Sequence, residues 1–367
     1  MNKISTVTCI IMLIAFIGNA QQMVQKNEQK IVLITIDGLR WQELFTGADS
    51  LLIVNKEYVE DTAKLRSDFW RNTQTERRET LMPFFWRQII KIGQLHGNRN
   101  ADSKVNLTNT MRFSYPGYNE ILTGKADDKR IDSNSKINNP NITILEKINN
   151  QSQYVGKVAA FGSWDVFPYI INAERSGVPV NAGFDIAKGG DLSEREVFLN
   201  QLQPQVPSPW GTVRLDAFTH HYALEYMKRK HPKFIYISYG ETDDFAHDGN
   251  YQAYLNSAHT TDALIEELWN FTQKDEFYKD NTIFIVSTDH GRGTKPLETW
   301  KSHGSEIKGA GQVWMVMFGN GVKTLGEVTS DEQLYSNQIA PTILDLFNIK
   351  IDSKAIFGKP LDILSEE

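Results

Sequence analysis

Five short runs along the chain are apolar at nearly every position: 30–36, 154–161, 233–239, 282–288 and 312–318. The first, Lys-Ile-Val-Leu-Ile-Thr-Ile, is mostly β-branched and stops at Asp37-Gly38. Runs that stay apolar rather than alternating belong to strands covered on both faces, as in a parallel sheet. Between them, helical spacing marks 79–94, 214–229, 252–270 and 335–347. In 252–270, Ala253, Leu264, Ile265 and Leu268 recur among polar residues as one helical face requires. Strands alternating with helices predict a doubly wound α/β/α three-layer sandwich about a mostly parallel sheet. The charged, poorly periodic stretch 40–78 reads as an insertion near the site. Asn/Ser-rich 132–141 and Pro-rich 204–209 read as loops rather than boundaries. One domain is therefore expected from 29 to 367.

Composition agrees with a folded chain. With 40% hydrophobic and 11% aromatic residues over 367 positions, a sizeable core can be buried. The first twenty residues have the form of an export signal. Lys3 supplies the positive start, 7–17 the apolar run, and Gly18-Asn19-Ala20 a small-residue cleavage site before Gln21. The apolar run is shorter than the ~20 residues of a membrane span, so an uncleaved anchor is the lesser alternative. A secreted or periplasmic protein with no stable span after cleavage is expected. Cleavage would leave 38 basic against 45 acidic groups, a net charge of −7, and would remove Cys9, the only cysteine. Thiolate nucleophiles and Cys-based zinc sites are then excluded. The negative charge argues against broad binding to nucleic acid or anionic membrane, but not against an anionic substrate held by metal.

The acidic and histidine residues fall where such a sheet needs them. Asp37 follows the first strand; Asp243, Asp244 and His247 follow 233–239; Asp289 and His290 follow 282–288. Carboxyl ends of strands line the ligand crevice of an open α/β sheet. An Asp after a strand is commonly a turn or cap residue, but three strands delivering carboxylate or imidazole to one edge favour a metal site.

These segments resemble the alkaline phosphatase superfamily, especially its nucleotide pyrophosphatase/phosphodiesterase branch. Ile-Thr-Ile-Asp-Gly-Leu-Arg (34–40), Ser-Tyr-Pro (114–116) with Thr123-Gly124, Thr-Asp-Asp-Phe-Ala-His (242–247), Asp289-His290-Gly291 and Ser302-His303-Gly304 occur in that family's order. The resemblance implies two zinc ions. Asp37, Asp289, His290 and the Ser114 oxygen would hold one, and Asp243, His247 and His303 the other. Nitrogen and oxygen ligands suit zinc, although other divalent metals accept the same set. It further implies Ser114 as nucleophile, needing no histidine base, and Asn134 as donor to a phosphoryl oxygen of a small phosphoric ester.

Two departures stand out. Gly117 replaces the asparagine that usually follows the Pro. The Lys-x-Arg pair of related monoesterases is replaced by Gly-Ser-Trp-Asp-Val-Phe at 162–167, which favours diesters unless Arg40 or Arg175 supplies the charge. Trp164 and Phe167 could line a leaving-group pocket, although aromatics at a strand end are commonly core. His220-His221 reads as surface or packing, and Asp244 as a supporting carboxylate. Alternatives left open are a sulfatase, although position 118 is Tyr rather than its usual Arg, a phosphoglycerate-mutase-like phosphotransferase, and a non-catalytic binding protein on this fold.

Overall fold

The computed structural model describes residues 29–350 and 358–365, so the expected signal segment lies outside the described residues. Strand β1 (Lys30–Ile36) is buried at all seven positions. Its alternate residues enter two different cores: Val32, Ile34 and Ile36 join one, and Ile31 and Leu33 the other. That two-sided burial explains the continuous apolar run, because a pleated strand between two helix layers has no solvent face.

The remaining strands are β2 (Gly93–His96), β3 (Ser103–Asn106), β4 (Val158–Gly162), β5 (Val180–Ala182), β6 (Phe234–Tyr239), β7 (Thr282–Ser287), β8 (Gln312–Val313), β9 (Met315–Gly319), β10 (Gly326–Glu327) and β11 (Glu332–Tyr335). Eight of them form one sheet in the order β10-β2-β9-β7-β1-β6-β4-β5, and β11-β3-β8 form a small second sheet. From β7 to β5 every neighbouring pair is parallel. The α/β, mostly parallel architecture is thus as expected, with two corrections. The run 312–318 is not one strand: Gln312–Val313 pairs in the small sheet, and Met315–Gly319 runs antiparallel to β7. The expected helix 79–94 is broken into Gln74–Leu81, a π-turn Phe85–Ile89, a short Ile90–Ile92 and then strand β2.

The other helices match their spacing: Asp216–Lys230, Tyr251–Thr272 and Ile339–Leu346. Stretch 40–78 forms short helices, Trp41–Thr46 and Thr62–Phe69, whose Leu44, Phe45, Leu65 and Phe69 pack into the first core. Because β7, β1 and β6 are adjacent and parallel, their carboxyl ends open side by side at one edge.

Candidate metal centre

Asp37 continues β1, with its N–H bonded to the Tyr239 carbonyl at the end of β6 (2.9 Å). The chain then turns at Gly38, whose φ of +59° suits glycine. Its missing Cβ also matters, since one would lie 2.7 Å from Asp243 Oδ1. Helix Glu241–His247 begins two residues after β6 and carries Asp243 and His247 at i and i+4, on one face. Asp289 and His290 follow β7 after Thr288. Ser114 opens helix Ser114–Thr123, so its hydroxyl stands at the positive end of that helix dipole. His303 sits on a loop tied to the nucleophile segment by Gly304 N–H donating to the Arg112 carbonyl (2.8 Å).

These elements bring together all seven residues expected as ligands. His290 Nδ1 donates to the Gly291 carbonyl (3.0 Å), which turns Nε2 toward the crevice. Around Nε2 stand Asp37 Oδ1 at 3.3 Å, Asp289 Oδ2 at 3.4 Å, and Asp243 Oδ1 and Ser114 Oγ at 3.5 Å. On the other side His247 Nε2 lies 3.2 Å from Asp243 Oδ2 and 2.9 Å from His303 Nε2. Asp37 Oδ1 and Asp289 Oδ2 are buried with no hydrogen-bond partner. Buried acceptors that face acceptors need a cation between them. Separations near 3.4 Å are what ligand atoms about 2.1 Å from a tetrahedral centre have from one another. The residues therefore fit a pair of divalent cations.

The electrostatics point the same way. Burial, reinforced by Asp243, raises the Asp37 carboxyl well above its ordinary range, and burial together with Asp37 does the same to Asp289. Burial also opposes ionisation of Asp243, but Arg292 and His247 outweigh it and hold that carboxyl well below the usual range. Burial and the neighbouring His290 push His303 down to about 2, so its ring remains a neutral ligand. Asp244, raised to about 8 by burial and by Asp243, lines the same crevice as a supporting carboxylate.

The crevice is a cavity of about 370 Å³ lined by Asp37, Ser114, Asp243 and His303, with Asn134 and Trp164 on its walls. Asn134 Oδ1 accepts the Tyr115 N–H (3.0 Å), so the Asn134 loop is fastened to the first turn of the nucleophile helix. None of the side chains lining the cavity is Lys or Arg. Arg40 is fully buried in a two-point pair with Glu43 and a bond to the Gly293 carbonyl. Arg175 is spent on Glu146 and the carbonyls of Asn139 and Asn141. Neither replaces the missing Lys-x-Arg pair. His220 is buried between Tyr239 OH (2.9 Å) and Glu267 (3.0 Å), and His220, His221 and Glu267 bring a further group of possible metal-ligand atoms together outside the crevice. Sequence reasoning missed Arg292, whose guanidinium binds the Asp243 carboxylate and carbonyl, and Thr242, whose hydroxyl donates to the Asp37 carbonyl. It also treated Tyr118 only as an absent arginine, although its i+4 spacing from Ser114 puts both on one helix face.

The family model described as Sulfatase matches residues 29–349. Two curated relatives are 2,3-bisphosphoglycerate-independent phosphoglycerate mutases. That of Ureaplasma urealyticum serovar 10 is 28% identical over 33% of this chain and 22% of its own length. That of Antithamnion sp. is 30% identical over 38% and 25%. The matches thus span about a quarter of those mutases. Among solved structures, wild-type alkaline phosphatase PafA superposes with a TM-score of 0.60 at 11% identity, covering 92% of this chain and 99% of that one. The phosphonate monoester hydrolase SpPMH from Silicibacter pomeroyi gives 0.55 at 16%, covering 91% and 76%. BT1596, a 2-O GAG sulfatase, gives 0.55 at 12%, covering 91% and 73%.

Proposed function

The chain belongs to the sulfatase family within the alkaline phosphatase superfamily, and from that premise we propose that it hydrolyses phosphoric esters through a phospho-Ser114 intermediate. The observation that carries this reading is the convergence of the Ser114 hydroxyl and His290 Nε2 with two buried carboxylate oxygens, Asp37 Oδ1 and Asp289 Oδ2, that have no hydrogen-bond partner. Asp37, Asp289, His290 and Ser114 would hold one zinc ion, and Asp243, His247 and His303 a second. The pair would supply Lewis-acid stabilisation of charge on the entering and leaving oxygens.

Ser114 Oγ gives up its proton to solvent and attacks phosphorus, and the bond from phosphorus to the leaving oxygen breaks as the Oγ–P bond forms. The departing alcohol takes the electron pair and then a solvent proton. Water attacks the phosphoserine, the Oγ–P bond breaks, and Oγ regains a proton. The helix N-terminus behind Ser114 favours the anion throughout. With its Oδ1 committed to Tyr115, Asn134 is left with Nδ2 hydrogens to offer a phosphoryl oxygen.

The cation-free lining supports diesters over monoesters. A diester brings one negative charge where a monoester brings two, and no lysine or arginine lines the cavity to meet the second. Sulfate-ester hydrolysis is the second reading, favoured by the matching family model. The segment Ser-Tyr-Pro-Gly-Tyr at 114–118 supports phosphate instead, because Tyr118 is engaged with Asp37 and no arginine stands there.

Initial rates on bis-p-nitrophenyl phosphate, p-nitrophenyl phosphate and p-nitrophenyl sulfate, with residues 21–367 and added zinc, test the reading. Diester turnover is expected to exceed the other two, to fall at least about 10³-fold in Ser114→Ala, and to vanish on chelation. A sulfate preference, or activity indifferent to both Ser114→Ala and chelation, overturns it. For Asn134→Ala a loss of about 10- to 100-fold in kcat is expected. Export rests on the leader at 1–20, and no helix among the described residues is long and apolar enough to cross a membrane. Amino-terminal sequencing of the purified native protein is expected to begin at Gln21.

A further inference from the structure

Beneath the site, on the sheet face that carries the nucleophile helix, lies a run of four buried hydroxyls. Tyr118 OH donates to Asp37 Oδ2 at 2.7 Å. Ser238 Oγ donates to Tyr118 OH at 3.2 Å, and Thr35 Oγ1 donates to Ser238 Oγ at 2.9 Å. Tyr236 OH lies 2.9 Å from Thr35 Oγ1. All four residues are 0–1% exposed. Thr35 and Ser238 are register partners on β1 and β6, and Tyr236, two positions before Ser238, shares its face.

With Asp37 ionised, as a metal ligand must be, the direction of this run is forced. A carboxylate oxygen can only accept, so the single Tyr118 proton is spent on Asp37. Tyr118 must then accept from Ser238, Ser238 from Thr35, and Thr35 from Tyr236. Hydrogen bonds aligned head to tail polarise one another, so the bond to Asp37 is the strengthened end of the line. The other oxygen, Asp37 Oδ1, is buried without a partner and faces His290 Nε2 at 3.3 Å.

We infer that Tyr118 is a positioning residue that holds Asp37 Oδ2 out of the metal centre, so that Asp37 ligates through Oδ1 alone. Because Tyr118 and Ser114 stand one turn apart on helix Ser114–Thr123, the same bond sets the register of the nucleophile against the β1 carboxylate. The inference rests on the metal-centre reading above and concerns how the centre is held.

The test is Tyr118→Phe in the full mature chain, which removes one oxygen and keeps the ring. Zinc affinity is measured by chelator competition, and the visible spectrum is recorded after cobalt substitution. Outer partners of metal ligands are commonly worth 10- to 100-fold in affinity. A loss of about that size is expected, with a cobalt spectrum shifted toward higher coordination as Oδ2 swings in, and with kcat falling more than KM rises. Ser238→Ala keeps the Tyr118 donor but removes its polarising partner, and a smaller loss of about threefold is expected. Should Tyr118→Phe fail to fold, the Ser238→Ala affinity and spectrum decide.

A folded Tyr118→Phe with wild-type affinity and an unshifted spectrum overturns the inference, and so does an unchanged Ser238→Ala where it must decide. Failure of the underlying reading looks different: the wild type itself would bind no stoichiometric metal, and Asp37→Asn would match it.

Discussion

A Cβ at Gly117 would lie 2.2 Å from the carbonyl oxygen of Asp289 and 2.9 Å from its carbonyl carbon. Both are backbone atoms, so no side-chain rotation relieves the contact. This accounts for the glycine where related diesterases carry asparagine: here the nucleophile helix rests directly on the chain that bears a metal ligand. Gly117→Ala must push Ser114 away from Asp289 and His290. Overpacking of this kind costs about 1–3 kcal/mol. A displacement approaching 1 Å at the nucleophile costs about 100-fold in rate. Gly117→Ala is therefore expected to stay folded with a lowered Tm, while kcat falls about 100-fold and KM changes little. Steady-state kinetics beside thermal melts check this, and wild-type kcat in the variant would show that the close approach does not hold.

At the scale of elements, the sequence made legible whatever follows from periodicity and strand ends. Residues 30–36 read as a buried strand because every position is apolar or β-branched, and Asp37, Asp243 and Asp289 were found because each follows such a strand. Segment 79–94 was misread because the break at its own Pro83 was passed over and because the group that caps the restarted turn lies far outside it. Pro83 disfavours helix at Met82, which takes φ −129° and ψ 73°, and the helical turn restarts at Pro83 itself. The restarted turn needs its N–H groups satisfied, and Asp262, from helix Tyr251–Thr272, accepts from Phe84 (2.8 Å) and Phe85 (3.0 Å). A cap 178 residues away leaves no local signal. Nor does the exchange in which Asp216 accepts the Gly240 N–H and Glu241 accepts the Asp216 N–H, fixing the helix that bears Asp243 and His247.

The Asp262 cap carries a pH signature. Burial raises its carboxyl to about 7, against the opposing pull of the two backbone donors. Between the ordinary carboxyl range and pH 7 the folded chain therefore holds a proton that the unfolded chain has lost. Its contribution to stability is full below about pH 4 and fades as pH rises through 7, with a ceiling of about 4 kcal/mol. Asp262→Asn is expected to flatten this dependence, so that the Tm difference between wild type and variant moves in the variant's favour from pH 5 to 8. Melts at fixed metal concentration test it, and parallel curves would refute the raised carboxyl.

For the whole molecule, the proposed metal centre sets function against stability. Asp37, Asp289 and His290 are buried at the carboxyl ends of the central strands, between two apolar cores, and Asp289 Oδ2 has no hydrogen-bond partner. Folding without a cation must either neutralise these carboxylates or bury their repulsion, and both lower stability. A ligand that binds only the folded state adds RT ln(1 + [L]/Kd), about 4 kcal/mol at a thousandfold excess over Kd, or several degrees of Tm in a chain this size. Chelation is therefore expected to lower Tm by several degrees, and zinc to restore it. Ser114→Ala, which removes no charge, should keep most of that response. Asp289→Asn should behave in the opposite sense in each condition. Freed of a buried charge, it should melt above the wild type in chelator, yet gain little from zinc and fall below the wild type when metal is present. This crossing of the two curves is the signature to seek by calorimetry. If Asp289→Asn melts below the wild type in chelator as well, the carboxylate is held by contacts within the protein, and the centre is not assembled for a cation.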